Sequence, residues 1–347
     1  MRGLVSRVRR RIVPGTMVTE PSRQAGAIRC NGDESTRVQS RPPVTLLDRA
    51  IVRLLPAVPK PVVQRFSARY IAGATLPEAV QAVKDLNADG KLATIDVLGE
   101  EISREDEART IAQAYRGVFA EIERERLDSN VSVKLTALGL HLSYDLCREN
   151  LEAVLHEAAT HGNFVRIDME DSTTTDETLR LYRELRESGH DNVGVVLQSY
   201  LRRTLDDVRD LADLRPNVRL CKGIYVEPSS IAYTDHDAVR ASYVRCLDAL
   251  LDAGAYVGVA THDEWLIGEA LTRIGERSLA PMDYEFQMLL GVRESRAGEL
   301  VAAGHRLRVY VPYGEQWYGY SLRRLLENPA MAGTIARATL GRAIGRG

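Results

Sequence analysis

Ionisable and amide side chains recur in this sequence at one kind of place, in or just after a short apolar run. Lys134 closes Val-Ser-Val-Lys, Asp168-Met169-Glu170-Asp171 follows Val-Arg-Ile, and Gln198 follows Val-Gly-Val-Val-Leu. Arg219 lies inside Val-Arg-Leu-Cys, with Lys222-Gly223 just after it, and Thr261-His262-Asp263 ends the next run. Glu285 and Gln287 share a further run, and Tyr310 belongs to the last. Such a set can hold a charged substrate, stabilise developing charge and exchange protons. Taken singly, each residue has a plainer reading. Lys134 could pair with a core carboxylate, and Asp168 could cap the helix that follows, although Asp171 or Ser172 suits that task better. His262 is lone, and Thr261-His262-Asp263-Glu264 lacks the i, i+4 histidine pair of a zinc site. The recurrence, not any one residue, argues for a site.

The C-terminal part adds a second signal. Tyr313, Trp317, Tyr320 and Arg324 are spaced by four, three and four, which predicts one face of a helix over 315–327. Packing of an aromatic stripe accounts for Trp317. It does not account for Arg323-Arg324, because arginine is costly to bury unpaired and is built for bidentate capture of carboxylates. Glu327, three residues after Arg324, can neutralise one guanidinium and leave the other for a ligand.

The elements that must position these groups form a rhythm. Strands are predicted at 92–97, 131–135, 164–169, 193–197, 218–221, 256–260, 284–289 and 307–311. Amphipathic helices are predicted at 103–126, 145–160, 174–188, 202–214, 235–253, 264–277, 293–303 and 315–327. Runs such as Val-Gly-Val-Val-Leu are apolar on both faces, as parallel strands covered on both sides should be. Eight strand–helix units predict an α/β fold, a closed (β/α)8 barrel of the TIM type, over a doubly wound open sheet. The polar residues then fall at the strand ends where barrel enzymes do their chemistry. No G-x-G-x-x-G or G-x-x-x-x-G-K follows a strand, so a bound cofactor is not expected in a Rossmann crevice. The barrel is expected over 91–330, after a helical arm at 44–90 and before a C-terminal tail at 331–347.

The 347 residues, 44% hydrophobic and 27% charged, suffice for one such domain. A net charge of -2 gives no argument for a nucleic-acid partner. Cys30, Cys147, Cys221 and Cys246 lie far apart, which fits a reducing compartment better than a disulfide framework. Residues 1–43 are basic, with nine arginines up to Arg41, and read as a solvated, disordered extension or a start codon placed too far upstream. A transit peptide or nucleic-acid arm is the alternative. No run approaches the roughly 18 apolar residues that span a bilayer, so the expected placement is cytoplasmic, with at most peripheral contact at the inner membrane face.

The motifs together have a counterpart. Val-Ser-Val-Lys-Leu-Thr-Ala-Leu-Gly, Arg-Ile-Asp-Met-Glu-Asp-Ser, Val-Leu-Gln-Ser-Tyr-Leu, Arg-Leu-Cys-Lys-Gly-Ile-Tyr, Ala-Thr-His-Asp, Tyr-Glu-Phe-Gln-Met-Leu-Leu-Gly and Tyr-Gly-Glu-Gln-Trp-Tyr-Gly-Tyr-Ser-Leu-Arg-Arg-Leu-Leu-Glu-Asn resemble the ordered motifs of monofunctional bacterial proline dehydrogenases, from about Val44 to Ala330. The resemblance implies a distorted (β/α)8 barrel with non-covalent FAD at the strand C-termini, oxidising L-proline to Δ1-pyrroline-5-carboxylate by hydride transfer to flavin N5. It implies that Arg323 and Arg324 grip the proline carboxylate beside Lys134, with Asp168 in the same network. Leu289, Tyr310 and Tyr320 would line the ring pocket, and Arg219 would sit by flavin N5. Met169, Gln198, Lys222, Gly223, Ile224, Thr261 and His262 would contact the cofactor, and Glu327 would orient the arginine pair. Ile224 stands where many members carry a smaller residue, and residues 1–43 have no counterpart.

The residue types suit that chemistry. Oxidising an amine to an imine needs a free nitrogen lone pair, which nearby positive charge favours over the ammonium form. Cations on the carboxylate turn recognition into orientation. The resemblance further implies a quinone-type electron acceptor and functional coupling to a pyrroline-5-carboxylate dehydrogenase. Two rivals remain at this level: a Schiff-base aldolase with Lys134 as nucleophile, and a degenerate barrel that only binds an amino acid.

Overall fold

The computed structural model describes residues 69–99, 102–318 and 321. A first helix, α1 (Leu76–Ala88), is opened by a capping box between Thr75 and Glu78 and leads into the barrel. The strands are β1 (Leu92–Val97), β2 (Ser129–Val133), β3 (Val165–Ile167), β4 (Val193–Gln198), β5 (Asn217–Cys221), β6 (Tyr256–Ala260), β7 (Tyr284–Leu289) and β8 (Leu307–Tyr313). Between them run α2 (Glu105–Arg124), α3 (Tyr144–Thr160), α4 (Thr175–Glu187), α5 (Thr204–Asp210), α6 (His236–Asp252), α7 (Glu264–Glu276) and α8 (Glu294–Ala302). All neighbouring strands are parallel, and β1 pairs with β8 from Leu92↔Arg308 to Val97↔Tyr313, closing the barrel in sequence order. The expected eight-unit barrel is therefore what forms.

Its core has an unusual distribution. Ile95, Val131, Val133, Val165, Ile167, Val218, Leu220, Val257, Val259, Phe286, Met288, Val309 and Val311 all belong to one buried cluster. The residues that alternate with them are largely polar: Thr94, Asp96, Ser132, Arg166, Arg219, Glu285 and Gln287 are all buried too. Period-two alternation places the first set against the helices and the second inside the barrel. β4 is apolar along its length up to Gln198, as its sequence predicts, whereas most other strands carry polar groups on their inner face. Hydrogen bonding makes a polar interior tolerable. The fully buried Arg166 donates to the carbonyls of Val195 (3.1 Å) and Asn217 (2.6 Å). It fits because β4 has Gly194 at the facing position, where a Cβ would lie 2.5 Å from Arg166 Nη1. Burial lowers the Arg166 pKa to about 9, with repulsion from Arg219 adding to the effect.

Several boundaries differ from expectation. β2 ends at Val133, which puts Lys134 just past the strand, and β3 is only three residues long. The helix expected over 202–214 is broken into α5 and a 3-10 turn at Ala212–Leu214. Tyr313 is the last residue of β8, not part of a helix, so it does not share a helical face with Trp317. The described helical residues after β8 are Trp317, Tyr318 and Ser321; most of the helix expected over 315–327 lies outside the described residues.

Candidate active site

Asp168, the residue after β3, is the hub of the carboxyl-terminal end of the barrel. Its Oδ1 accepts from Ser132 Oγ and from Arg219 Nη1, both at 2.7 Å. Its Oδ2 accepts from Tyr310 Oη at 2.8 Å and lies 3.9 Å from Lys134 Nζ. Lys134 in turn donates to Asp96 Oδ2 at 2.7 Å and to Tyr310 Oη at 3.4 Å. The Arg219 guanidinium also lies over the Tyr310 ring, 5.2 Å from its centre. The ends of five strands are thus tied together by charge-assisted bonds in a space that solvent barely reaches. Burial pushes the Asp96 carboxyl above its ordinary range; Lys134 opposes the shift, and the charge of Asp168 adds to it.

Both plain alternatives for these residues are answered by geometry. Lys134 does pair with a carboxylate, but that carboxylate belongs to the same cluster. Asp168 caps no helix: Asp171 takes the turn instead, accepting from the Thr173 amide at 2.9 Å. Asp96 is the member that the residue reading passed over. The signal was present, a single carboxylate inside the otherwise apolar Leu-Ala-Thr-Ile-Asp-Val of β1, on the same side as Thr94.

A second group of expected residues lies around the rim over β4 to β7. The Gln198 amide donates to the carbonyl of Glu170 at 2.6 Å. Its Oε1 is buried and has no hydrogen-bond partner among the described residues. Met169 is buried, and Glu170 next to it in sequence is held by the amide of Thr136 at 3.0 Å. Gly223, with φ +110°, occupies left-handed backbone, and a Cβ there would collide with the Tyr200 ring at 2.1 Å. Ile224 next to it is exposed. Lys222 Nζ sits 3.2 Å from Asp263 Oδ2, which Arg240 also grips at 3.0 Å through Nε. Thr261 is buried, with Oγ1 accepting from the Asp263 amide at 3.1 Å. His262 Nε2 accepts from the Leu289 amide at 3.0 Å, which fixes that nitrogen as the unprotonated one and ties β6 to the end of β7.

This donor set fits a flavin. The pyrimidine edge of an isoalloxazine presents an N–H flanked by carbonyls, and a buried amide oxygen without a partner is the acceptor such a group requires. Arg219 offers the complement: Nε and Nη1 are bonded to protein, and Nη2 makes no hydrogen bond among the described residues. Tyr320, Arg323, Arg324 and Glu327 lie outside the described residues, so the expected carboxylate clamp has no geometry here.

A closed barrel with a buried ionic cluster at the carboxyl ends of its strands defines a (β/α)8 barrel enzyme. The proline dehydrogenase family model matches residues 79–337 of the chain. Proline dehydrogenase 1 of Bacillus subtilis (strain 168) is 39% identical over 272 residues, 78% of this chain and 90% of that protein. The proline dehydrogenase of Deinococcus radiodurans is 38% identical over 276 residues, 78% and 89% of the two chains. Among solved structures, proline utilization A from Bdellovibrio bacteriovorus inactivated by N-propargylglycine superposes with a TM-score of 0.74 at 25% identity. The superposition covers 82% of this chain and 36% of that one. The chain belongs to the proline dehydrogenase family.

Proposed function

We propose that the enzyme is an FAD-dependent dehydrogenase that oxidises L-proline to Δ1-pyrroline-5-carboxylate, the first step of proline catabolism to glutamate. The Asp168-centred cluster carries the reading, because it sets two cations and a phenol where a small amino acid must be oriented. When bound, the FAD supplies the two-electron acceptor for the hydride that leaves the ring carbon next to nitrogen. Gln198, Met169, Lys222, Gly223, Ile224, Thr261 and His262 would hold it, with Arg219 at its reacting edge. Lys134, Tyr310 and Leu289 would bound the substrate.

Charge balance supports assigning the carboxylate to Arg323 and Arg324. Lys134 and Arg219 are already matched by Asp96 and Asp168, so the described cluster has no formal positive excess with which to capture an anion. The sequence's remaining candidates are the paired arginines, with Tyr320 and Glu327 beside them on the same expected helix. The product imine opens in water to an aldehyde, so an aldehyde-oxidising partner such as a pyrroline-5-carboxylate dehydrogenase would consume it. Among the described residues no helix is long and apolar enough to cross a membrane. A quinone-type acceptor would be met by peripheral contact with the bilayer.

Purified protein should show an oxidised-flavin spectrum that bleaches on anaerobic addition of L-proline, and acid should release the flavin to the supernatant. Colourless protein, or a yellow protein indifferent to proline, would remove this reading. Arg323→Met should lower kcat/KM about 10- to 150-fold, the equivalent of about 1.5–3 kcal/mol for a charge-assisted bond, while flavin stays bound. Unchanged efficiency in that variant would sink the clamp.

A further inference from the structure

Beneath the ionic hub, a chain of hydrogen bonds descends the barrel axis. Arg219 Nε donates to Gln287 Oε1 at 2.5 Å, and Gln287 Nε2 donates to Glu285 Oε1 at 2.6 Å. Glu285 Oε1 also accepts from Arg308 Nε at 2.7 Å, and its Oε2 accepts from Tyr256 Oη at 3.0 Å. Arg308 is anchored in turn on the carbonyl of Ala93 at 2.6 Å. Arg219, Gln287 and Glu285 are all more than nine-tenths buried. Nothing in the chemistry above uses Gln287 or Glu285.

We propose that Gln287 is a positioning residue for Arg219, a neutral spacer that fixes the guanidinium without adding a second anion to the one Asp168 already supplies. A primary amide has an acceptor end and a donor end. Here the acceptor end meets a cation and the donor end meets an anion, so the flipped amide would face like against like at both ends. Glu285 therefore sets the orientation of Gln287, and Gln287 sets that of Arg219. The Glu285 charge is itself matched by Arg308, so it does not neutralise Arg219. Burial alone would raise the Glu285 pKa, but Arg308 and the Gln287 amide outweigh it and hold the carboxyl below its ordinary range. A carboxylate at position 287 would hold Arg219 equally well but would set a second anion against a guanidinium that Asp168 already pairs.

The backbone is shaped for this arrangement. Gly258 of β6 stands opposite Arg219 and Glu285 in register, and a Cβ there would lie 2.4 Å from Gln287 Nε2. The glycine leaves the amide its place between neighbouring strands.

The inference rests on the flavin reading above, and its test separates the two. In the wild-type holoenzyme, proline must bleach the flavin; failure there concerns the function and not Gln287. Gln287→Met keeps the side-chain volume but removes the acceptor. It should slow anaerobic flavin reduction at saturating proline about tenfold or more, with the flavin midpoint potential little changed. Gln287→Glu restores an acceptor and adds a charge, and it should lower the midpoint potential, because the added negative charge beside the Arg219–Asp168 pair disfavours the reduced anionic flavin. Gly258→Ala, which alters no polar group, should slow reduction in the same direction as Gln287→Met. Wild-type reduction rates and potentials in flavin-loaded Gln287→Met and Gln287→Glu would overturn the proposal, leaving Gln287 as packing. If neither Gln287 variant folds with flavin, Gly258→Ala decides: wild-type kinetics in it would equally overturn the proposal.

Discussion

Asp96 and Lys134 show how a site can also be a structural liability. Each would be costly alone in the barrel interior, and the pair persists because the 2.7 Å contact offsets the lost hydration. Asp96→Asn should therefore destabilise the fold by about 3 kcal/mol or more, since it strips the ammonium of its nearest counter-charge. Adding Lys134→Met should recover part of that loss, because no buried cation then remains to be compensated. Urea unfolding of the two single variants and the double variant measures this. A double variant less stable than Asp96→Asn would show that the pair is not what makes Asp96 necessary. At this scale the sequence was legible wherever a polar residue followed an apolar run, as for Lys134, Asp168 and Gln198. It was less legible for Asp96 and Ser132, whose importance lies in contacts across strands that spacing along the chain does not reveal.

Among the elements, the turn between β6 and α7 couples the expected cofactor rim to the helix behind it. Asp263 is the N-cap of α7, accepting from the Trp265 amide, and it also holds Arg240 and Lys222. Burial alone would raise its pKa, but the Arg240 hydrogen bond and Lys222 outweigh that and bring it to about 2. Its folded value thus lies below the ordinary 3.8, so the stabilisation is fully present above pH 3.8 and is lost as pH falls through about 2. Asn caps a helix as well as Asp does, so Asp263→Asn isolates the charge. The variant should be less stable by about 2 kcal/mol at pH 7. The gap should hold down to pH 4 and close below it, as denaturant unfolding at each pH would show. A gap that persists undiminished at the acid end would assign the effect to capping or packing instead. The elements themselves were largely legible, because a helix-facing apolar stripe on each strand and on each helix is a sequence-local property. What strand pattern alone does not give is which polar groups meet inside the barrel. Gly194 and Gly258 are the places where the interior makes room for arginine and amide groups, and a glycine in a strand gives no hint of which side chain it admits.

For the whole molecule, the structural question is what the barrel needs besides itself. β1 and β8 pair over their full length, so closure requires no strand from elsewhere in the chain. The segment just before α1 does contribute. Arg69 donates to the carbonyl of Gly291 at 2.7 Å, the Ala72 amide to that of Pro312 at 2.9 Å, and the Gly314 amide to that of Gly73 at 3.2 Å. Ile71 and Leu98 form a small cluster with Tyr70 and Trp317, the packing role expected for that tryptophan. These contacts lash the ends of β7 and β8 to the residues that lead into α1, beside the end of the barrel that carries the site. The family model matches only from residue 79 onward, so this lashing lies just before the matched segment. Deleting residues 1–41, a basic stretch without a family counterpart, should leave flavin content, melting temperature and kcat/KM for proline at wild-type values. Deleting residues 1–75 should not, because it removes Arg69, Ile71, Ala72 and Gly73 together. That protein should melt earlier and lose flavin on dilution, read by flavin fluorescence during a thermal ramp. Loss of flavin in the shorter deletion would show that the basic segment has a part in the folded enzyme. Wild-type melting in the longer one would show that the lashing at the β7 and β8 ends is not needed to hold the barrel mouth.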